Sequence, residues 1–144
     1  MRLIIVCVGK IRPPFVDDVA HYERLLGRLA RVETIELPES DPDREGEAIL
    51  RRLPAHALVC VLDREGRPAS SESLAASLAE WRGSGRDVCF VIGGPFGLAN
   101  QVLARAAERI SLGAITLPHQ LARVVLLEQL FRAHKIVLGQ RYHY

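Results

Sequence analysis

Along this chain, apolar runs of strand length alternate with stretches whose apolar residues recur at helical spacing. The runs are "RLIIVCVG" (2–9), "RVETIELP" (31–38), "ALVCVLD" (57–63), "DVCFVI" (87–92) and "ISLGAITL" (110–117). After them come helix-period segments over Phe15 to Leu29, Pro42 to Leu53, Ser71 to Trp81, Leu98 to Arg109 and His119 to Leu138. The pattern predicts five βα units. Strands that are apolar at almost every position are covered on both faces, so the predicted fold class is α/β, a mostly parallel sheet with helices on both faces. Asp41 before Pro42 suits a helix start, and Ser70 or Ser71 can cap the next helix after a Gly66–Pro68 turn. The final helix carries Leu121, Val124, Val125, Leu126, Leu127, Leu130 and Phe131, too wide an apolar arc for a single buried stripe. It is either buried all round or packed between the sheet and a second subunit. A domain of this size has little to cover both sides, which favours the subunit.

Length and composition bound the rest. At 144 residues, 49% hydrophobic and 25% charged, the chain reads as one domain over 1–144 with an ordinary globular composition. It has no internal repeat or low-complexity segment. Its apolar runs are far shorter than a membrane span and Met1-Arg2 leads directly into a strand, so the cytoplasm is the expected location. Cys7, Cys60 and Cys89 each lie inside a strand-like run and form no CxxC pair, which predicts buried thiols. The net charge of +2 is uninformative, but its distribution is not. From His119 onward, Arg123, Arg132, Lys135 and Arg141 face the single acid Glu128, so that end suits an anionic partner.

Three strand ends look unusual, and in open parallel sheets ligands bind beyond the carboxyl ends of the strands. "VLDREGRP" closes the third strand, "VIGGPFG" the fourth and "GAITLPHQLAR" the fifth. The Gly93-Gly94-Pro95-Phe96-Gly97 turn is neither GxGxxG nor a Walker loop, and alone it reads equally as tight packing or as a ligand turn. Phe96 has two readings, a wall of the site or filling for the core. Asp63 reads first as a turn-former. His119 opens the last helix near free backbone amides, with Arg123 one turn on along the same face. With the Tyr142-His143-Tyr144 terminus these form a cationic and aromatic group suited to a nucleotide, although each residue singly is more ordinary as a cap, a solvated charge or a frayed end. There is no Gly-x-Ser-x-Gly elbow, no HExxH and no spaced Cys/His ligand set.

In order and spacing, "VGKIRPPFVDDVAHYERLL", "VLDREGRPASSESLA", "GRDVCFVIGGPFGL" and "SLGAITLPHQLARVVLLEQLFRAHKIVLGQRYHY" resemble the ribosomal RNA large subunit methyltransferase H family, minimal members of the SPOUT methyltransferases, over nearly the whole chain. The resemblance implies a C-terminal trefoil knot, which general topology rules would reject. It also implies an S-adenosylmethionine cofactor, no metal, and a homodimer with the last helix in its interface. The implied reaction is methylation at N3 of a pseudouridine in large-subunit (23S) ribosomal RNA, within the ribosome. Position by position, it assigns Leu62, Gly93 and the run Leu112, Gly113, Ala114, Ile115, Thr116 and Leu117 to the cofactor, and His119, Arg123, Tyr142 and His143 to catalysis. In that scheme Arg123 holds a phosphate or the anionic base, either histidine relays the N3 proton, and the tail of one subunit completes the site of the other.

The chain departs from the family at two places. Arg141 stands where the family has proline and Tyr144 where it has a basic residue, and Pro38 to Asp43 replaces a longer basic loop. Two rival functions fit weaker parts of the pattern: a nucleotide-binding hydrolase or transferase, for which no phosphate loop or nucleophile is present, and a noncatalytic ribosome-binding factor using the basic end.

Overall fold

The computed structural model describes residues 1–144. Its elements are β1 (Arg2–Val8), α1 (Val16–Gly27), β2 (Arg31–Leu37), α2 (Pro42–Arg52), β3 (Leu58–Pro68), α3 (Ser71–Ser84), β4 (Val88–Ile92), α4 (Asn100–Arg105), β5 (Glu108–Ser111) and α5 (His119–Val137). The five strands form one sheet in the order β2-β1-β4-β3-β5, and every pairing is parallel. Alternate residues of each strand point to opposite faces, which divides the core in two. Leu3, Ile5, Cys7, Phe90 and Ile92 pack with α1, α3 and α5 on one face. On the other, Ile4, Val6, Val8, Val59 and Val91 pack with α2 and α4. All three cysteines are buried, and burial pushes each thiol up to about 12, so they are neutral, inert core residues.

The predicted caps form. Asp41 accepts a hydrogen bond from the Arg44 amide at 2.9 Å, and Ser70 and Ser73 exchange side-chain and amide bonds at 2.9 Å in a reciprocal cap. Three boundaries differ from expectation. β3 continues through Asp63 to Pro68: its ladder with β5 breaks after Leu62, leaves Asp63–Gly66 as an excursion, and resumes at Arg67, so Ile110 pairs with both Leu62 and Arg67. The expected Gly66–Pro68 turn is therefore part of a bulged strand. The fourth helix is shorter than predicted and gives way to β5, which pairs from Glu108 onward with Cys60. β5 itself stops at Ser111, and the apolar residues 112–117 that suggested a longer strand form a loop.

Gly66 makes this bulge possible. A Cβ there would lie 2.7–2.8 Å from backbone atoms of Arg109 and Ile110, whereas Gly83, within α3, has no neighbour within 4 Å. Gly66→Ala is therefore expected to destabilise the protein by about 1–3 kcal/mol through overpacking against a backbone that cannot yield. Gly83→Ala is expected to raise stability by up to about 1 kcal/mol. Urea unfolding of the two variants checks both signs.

Candidate active site

The C-terminal ends of β3, β4 and β5 and the start of α5 enclose a cavity of about 770 Å³, within the range of about 300–1,000 Å³ usual for small-molecule and cofactor sites. One wall is the break in the β3 ladder, where Leu62 leads into the excursion carrying Asp63 and Arg64. A second is the glycine-rich turn after β4. There the Gly97 amide donates to the Gly94 carbonyl at 3.1 Å, and Gly97 sits at φ +83, a conformation that favours glycine. The third wall is the loop after β5. The buried Ser111 hydroxyl donates to the Gly113 carbonyl at 2.8 Å and accepts from the Gly113 amide at 3.1 Å, which holds the loop at its root. Gly113 itself is at φ +134.

Most of the residues proposed from sequence for cofactor contact meet here. Leu62, Gly93, Leu112, Gly113, Ile115, Thr116 and Leu117 all line the cavity; Ala114, in the same loop, does not. Phe96 is 79% exposed and Ile115 81% exposed, and both lie on the lining. The core-filling reading of Phe96 is thus excluded.

The four residues proposed for catalysis do not form one cluster within the protomer. His119 lines the cavity, with its Nε2 3.5 Å from a Glu39 carboxylate oxygen that Arg12 also approaches at 3.2 Å. Arg123, one turn on, is outside the lining and only 5% exposed. Its Nη1 donates to Glu36 at 2.7 Å. Both side chains therefore meet carboxylates at and beyond the end of β2, and the expected common volume is this wall of acids. Burial works to raise the Glu36 carboxyl, but the hydrogen bonds from Arg123 and from the Ile11 amide outweigh it and hold the group below its ordinary range.

Tyr142 and His143 lie elsewhere, folded back along α5 and the start of α3. Tyr142 packs edge-on against Phe131 at 4.8 Å and donates its hydroxyl to Glu128 at 3.1 Å. Burial and the Glu128 charge raise that hydroxyl, so it stays a neutral donor. The His143 ring bonds Glu72 at 2.8 Å through Nε2 and Arg132 at 3.1 Å through Nδ1.

A family profile described as "Predicted SPOUT methyltransferase" matches residues 1–143. The chain is 53% identical to a ribosomal RNA large subunit methyltransferase H of Rubrobacter xylanophilus, an alignment covering 99% of this chain and 98% of that one. This chain belongs to that family of SPOUT methyltransferases. A namesake from Listeria monocytogenes is 43% identical over 99% of both chains. Among solved structures, a probable methyltransferase from Bordetella pertussis superposes with a TM-score of 0.62 at 17% identity, covering 92% of this chain and 94% of that one. A probable methylase family protein from Haemophilus influenzae gives 0.60 at 12% identity, covering 99% of this chain and 70% of that one. These two likenesses speak to the fold.

In this SPOUT methyltransferase, two contributors to the site carry no sequence signal. Gln120 is buried and ties the start of α5 to the loop after β1, donating to the Lys10 carbonyl at 2.7 Å and accepting from the Arg12 amide at 2.8 Å. Ser111 braces the cavity loop, yet it reads as an ordinary strand-end residue. A polar residue fixing backbone from a helix start or strand end has no distinctive spacing, so only its burial marks it. No group of three histidine, cysteine or carboxylate side chains is placed to hold a metal ion.

Removing the Glu36 charge leaves Arg123 buried without its counter-ion. Glu36→Gln is expected to cost about 2–3 kcal/mol, less than a fully buried pair because the Glu36 side chain is 32% exposed. The folded-state value lies below the ordinary 4.5. The stabilisation is therefore present in full above that pH and is lost as pH falls through the lowered value. Acid unfolding of the variant beside the parent should show a stability gap at pH 7 that narrows below pH 4.5.

Proposed function

We propose that this protein transfers a methyl group from S-adenosylmethionine to N3 of a pseudouridine in large-subunit (23S) ribosomal RNA, acting as a cytoplasmic homodimer on the ribosome. The observation that carries the reading is the cavity beside β3, β4 and β5, walled by the glycine-rich turn, by leucine and isoleucine side chains and Phe96, and by the few charged or titratable groups Asp63, Arg64 and His119. Gly93 lies on that lining, and a Cβ there would meet the Leu98 side chain at 2.8 Å, so glycine lets the turn pack closely beside the cavity. Leu62, Gly93, Leu112, Gly113, Ile115, Thr116 and Leu117 would hold the cofactor, with peptide groups for an adenine edge and apolar side chains for its faces. When bound, it supplies an electrophilic sulfonium methyl.

The target base must lose its N3 proton and be held in line with the methyl, so the protein's tasks are positioning and proton acceptance. His119 is the side chain of the proposed catalytic set that reaches the cavity within one protomer. Its Nε2 lies 3.5 Å from Glu39 and makes no hydrogen bond within the protomer, and Arg123 acts through Glu36 to fix the wall behind it. Tyr142 and His143 enter from the second copy, with either histidine as proton acceptor. Leu121, Val124 and Val125 are only partly buried in the protomer, which supports a partner on that side of α5. The expected knot is consistent with the path of residues 112–120, which run from the outer strand β5 to contacts with the loops after β2 and β1.

Calorimetry with S-adenosylmethionine, followed by mass spectrometry of nucleosides from ribosomal RNA incubated with protein and cofactor, tests the reading. Saturable binding and a new methylpseudouridine are expected. Tyr142→Ala with His143→Ala should lower transfer by about 10² or more while cofactor affinity stays within a few-fold. RNA binding without cofactor binding would favour the noncatalytic ribosome-binding factor instead.

A further inference from the structure

The opposite end of the sheet, where the strands begin, holds a second hollow of about 440 Å³. Its wall comprises Met1, the turn from Gly27 to Arg31 that leaves α1, Arg82 in the last turn of α3, and His134 of α5. Every ionisable side chain on it is an arginine or a histidine; no carboxylate lines it. Eight other arginines of the chain have a carboxylate within 4.0 Å, but Arg28, Arg31 and Arg82 have none. The adjoining hollow of about 250 Å³ shares Met1 and Arg31 and adds Arg2 and Asp87. Asp87 is already engaged there, accepting from the Arg2 amide at 2.8 Å and facing the Arg2 guanidinium at 3.4 Å.

Arg28 and Arg82 sit at the C-terminal ends of α1 and α3, where cations complement the helix dipole. That explains their presence but not why both face one concavity with Arg31, which opens β2. Three like charges lining one hollow repel one another, and an anion between them relieves that repulsion. His134 adds no compensating charge: its Nδ1 bonds the Leu130 carbonyl at 2.8 Å, and burial lowers its affinity for a second proton. The continuation from one hollow into the next through Arg31 suits successive phosphates of a strand better than a single ion.

We propose that the hollow formed by Arg28, Arg31 and Arg82 is a phosphate-backbone site for ribosomal RNA, separate from the methyl-transfer cavity. It rests on the reading of the protein as an RNA-directed enzyme. Strands of five to seven residues separate the two ends of the sheet, roughly 15–25 Å, so the hollow anchors the substrate and takes no part in chemistry. It reads phosphates and contributes affinity without sequence information.

The test is the triple variant Arg28→Gln, Arg31→Gln, Arg82→Gln, assayed as the intact protein by fluorescence anisotropy on a large-subunit ribosomal RNA fragment over a series of KCl concentrations. The variant should bind at least 10-fold more weakly at low salt, and its plot of log affinity against log salt should be shallower by about 2, three phosphate contacts at roughly 0.7 each. In the transfer assay KM for RNA should rise with kcat within two-fold. Cofactor affinity should match the parent and the thermal midpoint should stay close to it, because these side chains make no ion pair within the chain. Equal slopes and affinities in variant and parent would overturn the proposal and leave the methyltransferase reading standing. Calorimetry with inorganic phosphate adds one arm: saturable uptake lost in the variant, with RNA binding unchanged, would reassign the hollow to a small anion and also overturn it. A parent protein that binds cofactor but no RNA would instead remove the substrate reading, and this inference with it.

Discussion

Arg123 is almost wholly out of water, and its charge is tolerable there because Glu36 meets it at 2.7 Å. The pair joins the second turn of α5 to β2, at the far edge of the sheet from β5. Residues 112–118 must therefore cross the ends of the intervening strands to reach a helix start fixed at the other side. Gln120 holds the same helix start to the loop after β1. The cavity is what lies beneath this crossing, with the glycine-rich turn after β4 as its second lip. A change that releases α5 from Glu36 acts on the cavity without touching its lining.

The residues whose apolar character misleads secondary-structure reasoning are the ones that form the cavity. Leu112 to Leu117 look like a strand, and a buried strand would satisfy them. In the fold the ladder ends at Ser111, and Ile115 is left 81% exposed. Phe96, in the opposite lip, is 79% exposed. Large apolar side chains in water carry no folding benefit, so two of them flanking one cavity are a surface shaped for something other than the protein's own core.

β1, the first half of β3, β4 and the α2, α3 and α5 helices were legible because burial on both faces, Asp41 and Ser70 caps, and a long apolar helix leave local marks, whereas β2 is an edge strand with only Leu37 buried. β3 past Leu62 was not. Its continuation depends on Gly66 approaching the backbone of Arg109, a contact between residues more than forty positions apart that no local window contains. The cavity-lining segments were legible as three unusual strand ends, where open parallel sheets bind ligands, but which of their residues face a cofactor came only from the family resemblance, since glycine and apolar residues at strand ends have many uses. The pairing of Arg123 with Glu36 escaped for the reason that makes it stable: an acid in an edge strand reads as a solvated residue until the helix that covers it is placed. Spacing along α5 put His119 and Arg123 on one face, but only His119 reaches the cavity. It did not say that both would turn toward carboxylates.

The tail sets the remaining constraint. Tyr142 and His143 are held by Glu128, Phe131, Arg132 and Glu72, none of which lines the cavity. Glu128 lies nine residues beyond His119, about 13 Å along the helix at 1.5 Å per residue. The tail is also no loose end: Arg132 lies 4.9 Å above the Tyr142 ring and its guanidinium is pinned to Glu128 at 2.6 Å. A protomer thus presents a cavity at one position and an ordered aromatic and imidazole group at another, with part of the apolar surface of α5 left open. On the proposed reading, a second copy against α5 is the economical way to bring the two together, because reaching its own cavity would require the tail to give up every one of these contacts.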